Sequence, residues 1–165
     1  MSTRDPRPLP HDLQPPHDQA AVGGTTHSHA STTTRALSWG VLVGVLNAAA
    51  PVAFWWLDLA TVHAMAIALI AAVYIGFAVG DGRPRVIVVE SLVAAGFFVL
   101  AAAAITTTPW LLVTAYLAHG LKDLWQHRHQ FVRGTRWWPP FCAAVDWTAA
   151  AIIVGQILAG SQFHP

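Results

Sequence analysis

The sequence predicts an all-α fold, an integral membrane bundle of five transmembrane helices, and three observations predict it. The chain is 55% apolar and only 10% Asp, Glu, Lys or Arg, against about 25% charged in a typical soluble domain. Its apolar residues gather in five runs, each close to the ~20 residues that cross a hydrocarbon core. The nine Lys and Arg fall in alternate connections between those runs, as expected when positive charge is retained on the cytoplasmic side.

Residues 1–35 are rich in Pro, Ser, Thr and His, with Pro15-Pro16 and Thr32-Thr33-Thr34. They hold too little apolar surface to offset the entropy of ordering, so a disordered cytoplasmic tail is expected there. Its histidines, including the His27-Ser28-His29 step, read as solvated, since a floppy segment must lose entropy to bind a metal. No signal peptide is expected, because the first apolar run starts after Arg35 and is too long for an h-region.

The expected spans are 36–57, 62–80, 86–106, 109–127 and 141–160, followed by an external tail, 161–165. Asn47 in the first should hydrogen-bond a neighbouring helix, and Pro51 should kink its own. The string Asp81-Gly82-Arg83-Pro84 reads as a turn between the second and third spans. Gly40 with Gly44, and Gly76 with Gly80, place small residues at i and i+4 and allow close helix contact.

The fourth run is the least apolar, because Lys122 and Asp123 interrupt it. Charge asymmetry decides that it crosses. With five crossings, Arg4, Arg7, Arg35, Arg83, Arg85, Lys122, Arg128, Arg133 and Arg136 all lie on one face, giving a cytoplasmic N-terminus and an external C-terminus. Four crossings would export the last four. Trp39, Trp125, Trp137 and Trp138 then fall at the inner interface and Trp55, Trp56 and Trp110 at the outer one, where amphipathic rings prefer to sit.

Composition also excludes functions. A net charge of +1 argues against a nucleic-acid partner, which selects strongly basic faces. The single cysteine, Cys142, cannot form an internal disulfide or a Cys-only metal site. There is no internal repeat, phosphate-binding glycine loop or Gly-x-Ser-x-Gly elbow.

Ionisable groups inside a bilayer cost a few kcal/mol or more each, so they mark candidate sites. Glu90 in the third span and Asp146 in the fifth are expected at similar depth, roughly 6 to 8 Å below the inner boundary at 1.5 Å of rise per residue. His119, Asp123 and His127 are spaced i, i+4 and i+8 and occupy a sector of about 80° on the fourth helix, with Tyr116 on the same face. An imidazole and carboxylate row suits zinc, iron or manganese. His119 and His127 stand about 12 Å apart on a straight helix, so one ion would take Asp123 with one of them. Buried acids and histidines can equally pair across helices and fix register with no metal.

The strings Tyr74-Ile75-Gly76-Phe77-Ala78 with Asp81-Gly82-Arg83, His119-Gly120-Leu121-Lys122-Asp123 with His127 and His129, and Pro139-Pro140-Phe141-Cys142 with Asp146-Trp147 resemble a group of small bacterial multi-pass membrane proteins that have no established activity. The resemblance spans roughly residues 36–160. It implies the membrane architecture and supplies no chemistry.

The expected protein sits in the bacterial plasma (inner) membrane, with the lipid bilayer as its partner. His119, Asp123 and His127 are the candidate metal ligands, Glu90 or Asp146 the general base, and Tyr116 a hydrogen-bond donor. The expected function is metal-dependent chemistry on a lipid-like or membrane-soluble substrate. Two alternatives stay open, a proton-coupled transporter or channel subunit using the same groups, and a structural membrane subunit.

Overall fold

A computed structural model of the chain describes residues 25–163, with side chains from Thr32 onward. The described residues form helices and connections, with no strand: α1 (Thr25–Ala48), α2 (Ala50–Ala53), α3 (Leu59–Asp81), α4 (Pro84–Thr106), α5 (Trp110–His129) and α6 (Trp138–Leu158). Among them, Thr32–Ala53, Leu59–Asp81, Pro84–Thr106 and Trp138–Leu158 are long and apolar enough to cross a membrane. The chain therefore has the helices of a membrane protein.

The first apolar run departs most from expectation. Residues 25–35, expected in the tail, belong to α1, while residues 1–24 lie outside the described part. Once the apolar stretch is helical, extending it toward the N-terminus requires propagation but no new nucleus. The Ser38 hydroxyl adds a bond to the Thr34 carbonyl, at 3.0 Å. At the other end the helix breaks rather than kinks. Pro51 has no N–H to give the carbonyl four residues back, so α1 stops at Ala48 and α2 restarts with the proline in its first turn. Trp55 and Trp56 then lie beyond the helix and are largely exposed.

The other helices are delimited by local chemistry. Asp58 caps α3, its carboxylate accepting from the Thr61 backbone N–H at 2.8 Å and from the Thr61 hydroxyl at 2.6 Å. Gly82 closes α3 at φ 77°, a left-handed conformation costly for a side chain. Pro84 and Pro139 occupy first-turn positions of α4 and α6, where a missing N–H is harmless. The turn expected at 81–84 also ties to the far connection: Arg83 holds Asp81 and donates to the Phe131 carbonyl at 2.6 Å, and the Arg133 N–H donates to Asp81 at 2.9 Å. The Asp81 hydrogen bonds raise the Arg83 pKa further above its ordinary value.

Packing places α5 at the centre. It contacts α3, α4 and α6, α3 pairs with α4, and α1 packs along α6. Gly40 and Gly44 make that last crossing close, since a Cβ on Gly40 would run into the Phe141 carbonyl and one on Gly44 would stand 2.7 Å from Thr148 Cβ. The second small-residue pair behaves otherwise: nothing lies within 4 Å of a Cβ built on Gly76 or Gly80, so that face is open. Residues 161–163, expected as an external tail, fold back. Phe163 is buried, and its carbonyl accepts from the Ala60 N–H at 3.1 Å.

Candidate metal centre

Three ionisable side chains converge between α5 and α6. His119 Nδ1 lies 2.8 Å from Asp146 Oδ2 and 3.4 Å from Asp123 Oδ2. One ligand atom from each residue falls within 4.8 Å of the others. All three residues are at most 1% exposed. Gly120 allows the approach, because a Cβ there would collide with the Trp147 indole, one residue after Asp146.

The donor set fits a divalent cation. With metal–ligand bonds of about 2.1 Å, ligand atoms at tetrahedral or octahedral angles stand about 3.0–3.4 Å apart, close to the two separations above. Both Asp123 oxygens, Asp146 Oδ1 and His119 Nε2 are buried without a hydrogen-bond partner. Leaving such atoms unmet costs about 1–3 kcal/mol each, more for charged groups. A divalent ion held there would satisfy these oxygens and an imidazole nitrogen together. With N and O donors, zinc, iron or manganese would suit the set.

A second group adjoins the first. Lys122 Nζ ion-pairs with Glu90 Oε2 at 2.7 Å, and Gln126 Nε2 donates to Glu90 Oε1 at 3.1 Å. The same ammonium sits 3.3 Å from the centre of the Tyr74 ring. Tyr74 links the two groups, its ring centroid 5.8 Å from that of His119, while Phe97 covers the imidazole from α4 at 4.9 Å. Lys122 thus points into the bundle instead of snorkelling, since a buried carboxylate on α4 is within its reach.

The residues singled out from the sequence divide accordingly. His119, Asp123 and Asp146 meet, with Asp146 Oδ2 engaged by the His119 imidazole at 2.8 Å. Glu90 is engaged by Lys122 and Gln126. His127 lies outside the cluster and lines a separate cleft with Arg128, Gln130 and Arg136. Tyr116 turns away, its hydroxyl donating to the His63 carbonyl at 3.1 Å.

Helix phase explains the exchange of His127 for Gln126. Measured from His119 at 100° per residue, Asp123 falls at about 40°, Gln126 at about −20° and His127 at about 80°. Gln126 is therefore on the buried face, with 0% exposure. His63, near the start of α3, is 1% exposed, and neither ring nitrogen has a hydrogen-bond partner. Together with Tyr116 and Gln156 it extends the buried polar groups beyond the cluster. Tyr74, Lys122 and Phe97 were legible as residues, but their convergence depends on how α3, α4 and α5 pack. Comparison of the chain with family models, curated proteins and solved structures finds no match.

Proposed function

We propose that the protein is a five-span bacterial plasma-membrane protein that binds a divalent cation through His119, Asp123 and Asp146 and uses it for chemistry on a lipid-like substrate. The observation that carries this reading is the spacing of the three buried donor atoms. A cation held there supplies Lewis acidity to a water or a carbonyl or phosphoryl oxygen. Lys122 and Glu90 form an adjoining ion pair, and the Tyr74 ring lies between it and the imidazole. Because the three donors are at most 1% exposed, α5 and α6 must part for a substrate to reach them.

Five crossings are supported by the setting of α5. Its Lys122, Asp123 and His119 lower its apolarity but face protein rather than lipid, so the helix need not be apolar all round. With α5 crossing, every Lys and Arg lies on the face where the N-terminus begins, which supports a cytoplasmic N-terminus and places the cluster toward that side.

Metal analysis of the purified, chelator-washed and reloaded protein tests the reading. One zinc, iron or manganese per chain is expected in wild type and in His127→Ala, and loss of it in Asp146→Asn. Absence of stoichiometric metal from reloaded wild type, or equal retention by Asp146→Asn, overturns it.

The second reading, a proton or cation path, gains from the interior placement of Tyr116, His63 and Gln156. It predicts flux across reconstituted vesicles that His63→Ala abolishes. Silent vesicles exclude it.

A further inference from the structure

A cleft of about 640 Å³ opens where α1, the end of α5 and the start of α6 meet. Its walls include His127, Arg128, Gln130, Arg136 and Trp137. It adjoins a trough of about 400 Å³, with which it shares Thr32 and Trp137 and which continues past Arg35, Ala36, Trp39 and Phe141. The first is polar and basic, the second largely aromatic and apolar, and among the described residues no Asp or Glu lines either. Three guanidinium groups therefore face this surface with no acid among the lining residues. His127 Nδ1 is shielded from solvent and makes no hydrogen bond. Trp39 and Trp137 are 60% and 51% exposed, as aromatic rings are where a bilayer meets water.

We propose that this paired cleft is a binding site for one anionic phospholipid, its phosphate held by Arg128, Arg136 and His127 and its acyl chain laid along Trp39 and Phe141. Arginine is suited to phosphate because its planar fork donates two parallel hydrogen bonds. Basic pockets at the cytoplasmic ends of membrane helices recognise anionic head groups in this way. A free phosphate would use the basic cleft and leave the trough uncovered, whereas a lipid fills both. The inference rests on the bilayer placement proposed above and is independent of the metal, because none of these residues belongs to the His119 cluster.

Native mass spectrometry of the full chain in detergent tests the site, with phosphatidylglycerol, phosphatidylcholine of the same chains, and inorganic phosphate as probes. Wild type is expected to retain phosphatidylglycerol at least about ten-fold better than phosphatidylcholine. Arg128→Gln should weaken that retention about five-fold, and Arg128→Gln with Arg136→Gln about thirty-fold. Arg133→Gln removes the same charge from an exposed residue that does not line the cleft, and should stay within about two-fold of wild type. Equal retention of the two lipids, equal damage by Arg133→Gln, or inorganic phosphate binding as tightly as phosphatidylglycerol would overturn the proposal. Two independent readouts separate this failure from failure of the functional reading: extraction of the chain only by detergent reports bilayer placement, and the metal content of the Arg128 variant reports the cluster.

Discussion

The ion pair between Lys122 and Glu90 lets the energetics of the bundle interior be measured directly. The two side chains are 13% and 1% exposed and 2.7 Å apart. At an effective dielectric of about 20, their attraction is about 6 kcal/mol, set against a desolvation cost of several kcal/mol for each charge. Intact, the pair contributes little net stability. Removing one partner is different, because the other charge stays buried without compensation, at about 3–5 kcal/mol. Lys122→Met and Glu90→Gln should each destabilise by that amount. The double variant, which leaves no charge and retains an amide for Gln126 to meet, should lose only about 1–2 kcal/mol. Reversible unfolding in mixed micelles of increasing SDS content, followed by tryptophan fluorescence, measures all four proteins. If the double variant loses the sum of the two single losses to within about 0.5 kcal/mol, the charges are uncoupled and the reasoning fails.

Two further predictions concern how the helices are built and joined. Gly44→Ala should destabilise by about 1–3 kcal/mol in the same assay, because its Cβ would stand 2.7 Å from Thr148 Cβ and 3.0 Å from the Val145 carbonyl. Gly76→Ala, with nothing within 4 Å, should be neutral or gain up to about 1 kcal/mol from helix propensity; equal losses at both sites would contradict the close α1–α6 crossing. Asp58→Ala should lose about 1 kcal/mol with the N-cap bonds to Thr61, and Asp58→Asn should recover most of it, as unfolding midpoints would report.

The helical segments were legible because apolar runs bounded by Asp, Gly and Pro are local signals. Asp58, Gly82, Pro84 and Pro139 each end or start a helix where their own backbone chemistry requires it. The first run was misread because its two ends depend on competition: propagation into polar Thr and Ser on one side, and a proline that could bend or break the helix on the other. In the site, His119 and Asp123 were visible through their i, i+4 spacing, and Asp146 through the expense of an acid in an apolar run. The choice between Gln126 and His127 was also present in the sequence, in the 100° step. Residue type favours the histidine as a ligand, while helix phase puts the glutamine on the buried face. Lys122 could not be placed from α5 alone, since its direction depends on Glu90, 32 residues earlier on a different helix.

Charge balance around α5 bears on the proposed cation site. Among the described residues, Glu90, Asp123 and Asp146 are buried acids that gather around this helix. Glu90 is ion-paired with the Lys122 ammonium, which sits over the Tyr74 ring, and accepts from the Gln126 amide. Asp123 and Asp146 share one imidazole nitrogen and leave three of their four oxygens without a hydrogen bond. A device for fixing register would gain by replacing one acid with an amide, since an unpaired buried charge costs several kcal/mol. The Lys122 pairing demonstrates that this bundle can neutralise an acid where nothing else is needed. At His119, one turn away on the same helix, carboxylate oxygens of Asp123 and Asp146 lack a hydrogen bond, and one ligand atom from each of the three residues lies within 4.8 Å of the others. The proposed divalent cation would satisfy those oxygens and the imidazole together.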